Sequence, residues 1–244
     1  MEWGILLLAG LWAGVQNAVA GGGSFITLPA LMLTGLDARA ANITSTVALF
    51  VGQLTTGWGG RKAVEPVPSI PLWLIFAIVV AGGVIGAQLI LLTPSATFAA
   101  LVPWLILAAT ALFAWGAFGP KPATPRAPLP PILSGAGLFL SAIYGGYFGG
   151  GNGIILVTVL TAAGLAIRAA SATKNVLAAI INTAAFALFV FAPEVAWAKA
   201  AVVGGAAIAG GAIGNLLLDR LPERALKIMI VVIGLALTVA LFLD

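Results

Sequence analysis

Two runs of three glycines, each followed by a small polar residue, stand out in the sequence. Gly21–Gly23 precede Ser24, and Gly149–Gly151 precede Asn152. Three consecutive glycines break a helix and expose backbone N–H groups, while Ser and Asn are good N-caps for a helix that begins after the break. Because a helix N-terminus carries partial positive charge, each run predicts a place suited to binding an anion.

Polar side chains in the helix that follows each run extend this candidate site. Lys174 is the most informative of them, since a cation beside two helix N-termini again favours an anionic ligand. An alternative interpretation is that Lys174, six residues after Arg168, snorkels to the membrane surface. The predicted substrate-binding residues are Gly22, Gly23, Ser24, Asn42, Thr44, Ser45, Thr46, Gly150, Gly151, Asn152, Thr173, Lys174 and Asn175. Gln53 and Asn182 occupy matching positions 129 residues apart and could also reach the site. Weaker candidates are Gln16, Asn17, Gln88 and Asn215, for which interhelical hydrogen bonds are expected.

The composition predicts a membrane protein. Of 244 residues, 61% are hydrophobic and 7% are charged, and the mean hydropathy is +1.16, whereas a soluble domain carries about 25% charged residues. Charge-free stretches such as Trp3–Leu36 and Pro66–Pro120 exceed the roughly 18 apolar residues that a membrane span needs. These stretches predict an all-α polytopic membrane protein.

Several kinds of chemistry have no residues to support them. The sequence contains neither cysteine nor histidine, which excludes disulfides, thiolate metal sites, and the commonest metal ligand and proton shuttle. Its acidic residues all fall at predicted helix ends or loops, and it has no nucleophile–base pair or phosphate-binding loop. The net charge of +4 comes from scattered basic residues, unlike the gathered basic face of a nucleic-acid binder. We therefore expect no enzyme activity, no cofactor, no metal and no nucleic-acid partner.

The two halves of the chain match at a nearly constant offset of 128 or 129 residues. The matched blocks are Gly21–Ser24 with Gly149–Asn152, Gly35–Thr44 with Gly164–Thr173, and Gly82–Gly86 with Gly210–Gly214. We interpret the chain as a duplication. The spaced glycine pairs are interpreted as sites of close helix packing, and they are Gly10/Gly14, Gly82/Gly86 and Gly210/Gly214.

Each half predicts a helix, a glycine break, a short helix and three longer helices. The predicted helices are residues 3–20, 24–35, 40–57, 70–92 and 96–118 in the first half, and 132–148, 152–165, 170–192, 197–218 and 224–243 in the second. The proline-rich segment 120–131 cannot continue a helix. We therefore expect a first membrane repeat over 1–119, an exposed linker over 120–131 and a second repeat over 132–244, integrated into a single membrane domain.

The distribution of Lys and Arg distinguishes inverted from parallel halves. If the first two helices of each half enter the membrane and return, one side holds eight basic residues and the other only Arg39 and Lys199. If each break merely interrupts one crossing, each side holds five. The positive-inside rule favours inverted halves in an inner (cytoplasmic) membrane, with both termini outside and the linker 120–131 in the cytoplasm. A weakly biased topology is the alternative, and the first two helices of each half could be re-entrant or fully crossing.

Two motif pairs carry a family resemblance. They are Ala20–Leu31 with Ala41–Ser45, and Gly149–Val157 with Ala170–Lys174. These resemble the sulfite exporter TauE/SafE family, a group of small membrane permeases, and the resemblance covers essentially the whole chain. It implies a permease for sulfite, sulfonates or related organic anions. The family often has proline where this chain has Val157.

Glycine breaks at matched positions of two related halves are the best sequence indication of a substrate site in secondary transporters. Together with the resemblance they predict a permease or exporter of a small anion, which is bound near the midplane at the two breaks and moved by alternating access. The expected partners are this anion and the lipid bilayer, and a homo-oligomer is compatible with the many small residues. The alternatives are an anion channel and a membrane accessory subunit that transports nothing.

Overall fold

The computed structural model describes residues 2–19, 22–68, 70–119, 127–217 and 223–243. Within these ranges the chain forms ten α-helices, a 3-10 turn at Arg61–Ala63 and no strand. The helices are α1 (Glu2–Val19), α2 (Ser24–Leu33), α3 (Ala38–Gly60), α4 (Leu72–Leu92), α5 (Ser95–Phe118), α6 (Pro131–Tyr147), α7 (Asn152–Ala162), α8 (Ile167–Phe189), α9 (Trp197–Leu217) and α10 (Glu223–Leu243). The all-helical prediction is confirmed, and each helix begins and ends within three residues of its expected limits.

Helix length and composition agree with a membrane protein. Within the described ranges, three helical segments are long and apolar enough to cross a bilayer: Leu72–Leu92, Ser95–Gly116 and Ile167–Phe189. By contrast, α2 and α7 rise only about 15–17 Å, which is roughly half of the hydrocarbon core. Tryptophans near helix ends are exposed, as interfacial anchors should be, and they are Trp3, Trp58, Trp73, Trp115 and Trp197.

Proline and glycine mark the helix limits. Pro71, Pro94 and Pro130 occupy the residue before α4, α5 and α6, where their fixed φ and missing N–H do no harm. Gly35 and Gly164 follow the two short helices with φ of +88° and +104°, a left-handed conformation that turns the chain sharply at a helix end.

The predicted linker lies largely outside the described residues. Residues 120–126 are not among them, and neither are Arg220 and Pro222. The described remainder of the linker, residues 127–130, has no regular structure, and α6 begins at Pro131.

The helices pair across the two halves. α1 packs along α9, and α6, the counterpart of α1, packs along α4, the counterpart of α9. In the same way, α3 packs on α9, and its counterpart α8 packs on α4. Two helices pack on their own counterparts: α3 on α8, and α5 on α10. Each half is therefore completed by helices of the other, so that the protein packs as one unit.

Spaced glycines allow the closest of these contacts, as the sequence predicted. A Cβ built on Gly14 would clash with the carbonyl oxygen of Ala207 in α9, and one on Gly86 would clash with that of Ile143 in α6. Gly10 and Gly82 make comparable approaches to the same partner helices. These glycines therefore bring helix backbones together, which favours dispersion contacts in a membrane.

Replacing Gly86 by Ala should destabilise the protein by about 1–3 kcal/mol, the usual cost of overpacking. Gly205 in α9 is the matched control, because a Cβ there would meet nothing within 4 Å and Gly→Ala improves helix propensity by up to about 1 kcal/mol. Unfolding of both variants in detergent measures the difference. Equal stability of the two would contradict the close packing described for Gly86.

Asp37 begins α3 and anchors α5. Its carboxylate accepts hydrogen bonds from the backbone N–H groups of Arg39 at 3.0 Å and Ala40 at 3.2 Å, and from the hydroxyl of Ser95. Burial disfavours the charge, but the hydrogen bonds from Ser95, Ala40 and Arg39, together with the Arg39 charge, outweigh it and hold the pKa of Asp37 below its ordinary value. The ionised form is therefore an N-cap that the folded protein favours.

An Asp37→Ala variant should lose about 1 kcal/mol of stability at neutral pH, as the loss of an N-cap does. Because the folded pKa is depressed, the stabilisation by the charge is present above the unfolded-state pKa and is lost as the pH falls through the folded one. Thermal unfolding of wild type, Asp37→Ala and Asp37→Asn across acidic pH tests this. A stability gap between wild type and Asp37→Asn that widens on acidification would contradict it.

Candidate functional site

The glycine runs end the first helix of each half and allow the chain to turn into a short helix. Gly22 has φ of +85°, and Gly149 and Gly151 have φ of +78° and +75°. Residues with side chains rarely adopt this left-handed region. The backbone between α1 and α2, and between α6 and α7, therefore depends on glycine.

A polar side chain from the preceding helix bonds to a backbone carbonyl in each break. Gln16 donates from Nε2 to the carbonyl of Gly22 at 3.2 Å, and Tyr144 donates from its hydroxyl to the carbonyl of Gly150 at 2.7 Å. Both donors and both acceptors are 128 residues apart, so the two breaks are held in the same way. The Gly22 carbonyl also accepts from the backbone N–H of Phe25 at 3.0 Å, so the side-chain bonds fix the position of each break.

The two breaks lie against each other. A Cβ built on Gly150 would lie 3.1 Å from Cε1 of Phe25, and one built on Gly151 would lie 3.4 Å from Phe25 Cζ. Phe25, the second residue of α2, is 1% exposed. The first turn of α2 therefore packs on the glycines that precede α7, and the two short helices begin close together.

A cavity of about 60 Å³ lies at this junction. Its polar lining residues are Asn17, Ser24, Gln53, Thr56, Asn152, Lys174, Asn175 and Asn182. Lys174 is the one charged residue among them, and no acidic side chain lines the cavity within the described chain. The volume suits a few water molecules or one small ion, and is far below the roughly 300 Å³ at which pockets for drug-sized ligands begin.

Asn152 is a buried polar residue among those that line the cavity. Its side chain is 3% exposed, yet neither its Oδ1 nor its Nδ2 has a hydrogen-bond partner among the described residues. It fills the space over Gly145, where a Cβ would clash with its amide. A buried amide without a partner costs about 1–3 kcal/mol, so a ligand that bonds to it would recover this energy.

Lys174 reaches the same place from α8. A Cβ built on Gly153 would lie 3.2 Å from Lys174 Cδ and 3.8 Å from its Nζ. The ammonium group therefore lies beside the first turn of α7, and no ion pair neutralises it within the described part of the chain.

One sequence expectation about the breaks is wrong. Ser24 and Asn152 are the first helical residues and not the N-caps, since Gly23 and Gly151 occupy the cap positions. Asn17 bonds to the cap residue of the first half, where its Oδ1 accepts from the N–H of Gly23 at 2.8 Å. The side chains of Ser24 and Asn152 therefore do not cap these helices.

The structure brings six of the thirteen expected residues to the cavity: Gly22, Ser24, Gly151, Asn152, Lys174 and Asn175. Gly23 and Gly150 lie in the breaks beside them but are not among the lining residues.

The hydroxyl and amide residues early in α3 and α8 are bonded elsewhere. Thr44 accepts from the backbone N–H of Ala196 at 3.1 Å, and its counterpart Thr173 accepts from that of Glu65 at 3.1 Å. Thr44 therefore holds the segment that follows α8, and Thr173 holds the segment that follows α3. The other side chains in this group bond within the first half or to α6: Ser45 with Thr27 at 2.6 Å, Asn42 with the Tyr147 carbonyl at 3.2 Å, and Thr46 with the Asn42 carbonyl at 3.0 Å.

Sequence reasoning missed or undervalued part of the lining. Gln53 and Asn182 line the cavity as expected, while Gly52 and Thr56, one turn apart on α3, were missed. The available signal for Thr56 was its helical spacing of three residues from Gln53. Asn17 was expected only to make an interhelical bond. The remaining lining residues that were not expected are Gly149, Gly153 and Ala178.

A second cavity of about 490 Å³ adjoins the first between α1, α3 and α9. The two share Asn17, Gly52 and Thr56. In the second half, the position of Gly52 is taken by Ile181, which is completely buried. The two halves therefore differ at this position, and the absence of a side chain at Gly52 leaves space where the two cavities adjoin.

The protein's two tyrosines provide a matched test of how the breaks are held. Tyr144→Phe should cost about 1 kcal/mol, because it keeps the shape and removes the hydroxyl that bonds to the Gly150 carbonyl. Tyr147→Phe should cost less, since the hydroxyl of Tyr147 has only a long contact of 3.4 Å with Thr93. Unfolding in detergent compares them, and a Tyr147→Phe variant that is the less stable of the two would refute this account.

The sequence is similar to a family of membrane transporters. Residues 6–241 match the sulfite exporter TauE/SafE family. Among similar proteins are a "Probable membrane transporter protein" of Haemophilus influenzae, 30% identical over 98% of this chain and 94% of its own, and "Probable membrane transporter protein ORF9" of Sinorhizobium sp, 29% identical over 98% and 92%.

A further relative is "Probable membrane transporter protein YfcA" of Escherichia coli, which is 25% identical over 99% of this chain and 90% of its own. No solved structure matches the chain significantly. The family match and the three relatives each cover nearly the whole chain. The chain belongs to the sulfite exporter TauE/SafE family of membrane transporters.

Proposed function

We propose that the protein is a secondary transporter of a small anion, either sulfite, a sulfonate or a related organic anion, which binds in the cavity where the two glycine breaks meet. The observation that carries this proposal is the junction cavity itself, whose one charged lining residue is Lys174 and beside which Asn152 holds a buried amide without a partner. The first turns of α2 and α7 add their partial positive charge.

The charge and size of the cavity favour a small oxyanion. One ammonium group, amide and hydroxyl donors, and no carboxylate among the described lining residues make the site positive overall. Donor groups of this kind match the oxygens of a sulfite or sulfonate group. A volume of about 60 Å³ accommodates the anionic group, while any substituent on a larger anion would extend past Gly52 into the adjoining cavity of about 490 Å³.

The transport mechanism that we propose is alternating access in an inverted repeat. Pairwise exchange of helix contacts between the halves supports a two-fold relation, and the eight-to-two distribution of basic residues supports inversion in an inner membrane with both termini outside and the linker 120–131 in the cytoplasm. In such a repeat, the half-membrane helices α2 and α7 meet near the midplane from opposite sides, which is where a site must lie to be reached from either face.

The substrate test compares Lys174→Gln with Lys62→Gln, a matched change at an exposed lysine beyond α3. Sulfite and sulfonates should raise the thermal stability of the wild type and of Lys62→Gln, because a ligand that binds only the native state stabilises it. In Lys174→Gln the apparent affinity should fall by roughly 10- to 100-fold, as expected for a lost hydrogen bond to a charged group. No stabilisation of the wild type by any anion of this class would refute the proposed substrate.

Flux in proteoliposomes provides a second test through Gly52. A Cβ there would meet nothing within 4 Å, so Gly52→Ala should fold and transport, whereas Gly52→Leu should fold but abolish flux by filling the junction of the two cavities. Saturable flux with counterflow indicates a carrier, while non-saturating flux would indicate a channel. Normal flux in a correctly folded Gly52→Leu variant would contradict the proposed path.

A further inference from the structure

An ion pair at one end of α3 ties the two halves together. The guanidinium group of Arg39, in the first turn of α3, pairs with the carboxylate of Glu194 in the segment between α8 and α9. Its Nη1 also donates to the carbonyl oxygens of Leu91 at 3.2 Å and Thr93 at 3.0 Å, at the end of α4. One side chain thus joins α3, the end of α4 and a segment of the second half.

This ion pair has a counterpart at the other end of α3. Arg168 and Glu65 lie 129 residues from Arg39 and Glu194, respectively, so they are the same two residue types at equivalent positions. Both are exposed, and they form no ion pair with each other. The two places are separated by the length of α3, which at 1.5 Å per residue is about 35 Å.

The unformed pair is within reach of formation. Thr173 bonds to both the N–H and the carbonyl of Glu65, at 3.1 and 3.3 Å, and it lies five residues after Arg168 on α8, about 7.5 Å along the helix axis. The backbone of Glu65 is therefore already attached to the helix that carries Arg168. A modest shift of the segment after α3 would bring the two charges together.

The formed pair is only partly satisfied. Arg39 Nε and Glu194 Oε2 are buried, and neither has a hydrogen-bond partner among the described residues. Both side chains are about one-fifth exposed. An ion pair that leaves buried polar atoms unbonded recovers little of its desolvation cost, which suits a contact that must open and close more than one that must only stabilise.

We propose that Arg39–Glu194 and Arg168–Glu65 are reciprocal gates, of which one is formed and the other open in each state of the transporter. This proposal rests on the proposed function, because it assigns one ion pair to each of the two membrane faces to which an alternating-access transporter opens in turn. In the structure described, the pair at the Arg39 end is formed, and both cavities lie along the second half of α3, from Ala48 toward the open pair. Formation of the second pair would close that end, while release of Arg39 would open the other.

The test uses the absence of cysteine from the natural chain. A Glu65→Cys/Arg168→Cys double variant is placed in membranes and oxidised, and a disulfide forms only when the two Cα atoms come within about 7 Å. The control is a Glu65→Cys/Glu194→Cys variant, whose cysteines lie at opposite ends of α3 and should not link.

Reciprocity is measured by adding Glu194→Gln, which keeps the shape of the side chain and removes its charge. We expect the Glu65→Cys/Arg168→Cys disulfide to form slowly in the wild-type background and several-fold more completely with Glu194→Gln. No disulfide in either background, or the same yield in both, would overturn the proposal. Folding of the variants is checked by their elution as a single detergent-solubilised species, and Arg39→Gln replaces Glu194→Gln if the latter fails this check.

The outcome is independent of the substrate, because cross-linking requires no added anion. If the disulfide responds to Glu194→Gln but sulfite and sulfonates are neither bound nor transported, the gates stand and the proposed substrate is wrong. If these anions are transported while the disulfide yield does not respond, the gate assignment is wrong and the proposed function stands.

Discussion

Every backbone N–H and C=O inside a bilayer needs a hydrogen-bond partner, and the glycine breaks of this protein interrupt the helices that would supply one. The architecture depends on how that requirement is met. Gln16 and Tyr144 bond to the carbonyls of the two breaks, and Asn17 bonds to a backbone N–H. With these bonds in place the chain turns at each break, α2 and α7 begin close together, and a polar cavity lies between the helices.

The two halves differ in the polar residues that surround their glycine breaks, and these differences determine the lining of the cavity. The first half places an amide before its break, at Asn17, and the second places one after it, at Asn152, over the glycine that is the counterpart of Asn17. Lys174 stands where the first half has Ser45, whose hydroxyl is bonded to Thr27. The two halves thus line the cavity unequally, and the charged residue in its described lining, Lys174, comes from the second half.

Much of the fold follows from local features of the sequence. Apolar stretches bounded by proline and glycine indicate where the helices begin and end. The internal repeat indicates which helix of the second half corresponds to each helix of the first. The lining of the site was harder to predict, because periodicity places Thr44 and Thr173 near the breaks but does not reveal that Ala196 and Glu65 bond to them from distant segments. Gly52 carried no signal of its own, since its role is the space that it leaves.

The central claim is that an anion binds where the breaks meet, and diffraction from crystals soaked in selenite tests it most directly, because selenium is an anomalous scatterer in an ion of the same shape and charge as sulfite. The account predicts a single strong anomalous peak in the cavity, within hydrogen-bond distance of Asn152 Nδ2 and Lys174 Nζ. An empty cavity at saturating selenite, or a peak only elsewhere on an otherwise ordered protein, would contradict it.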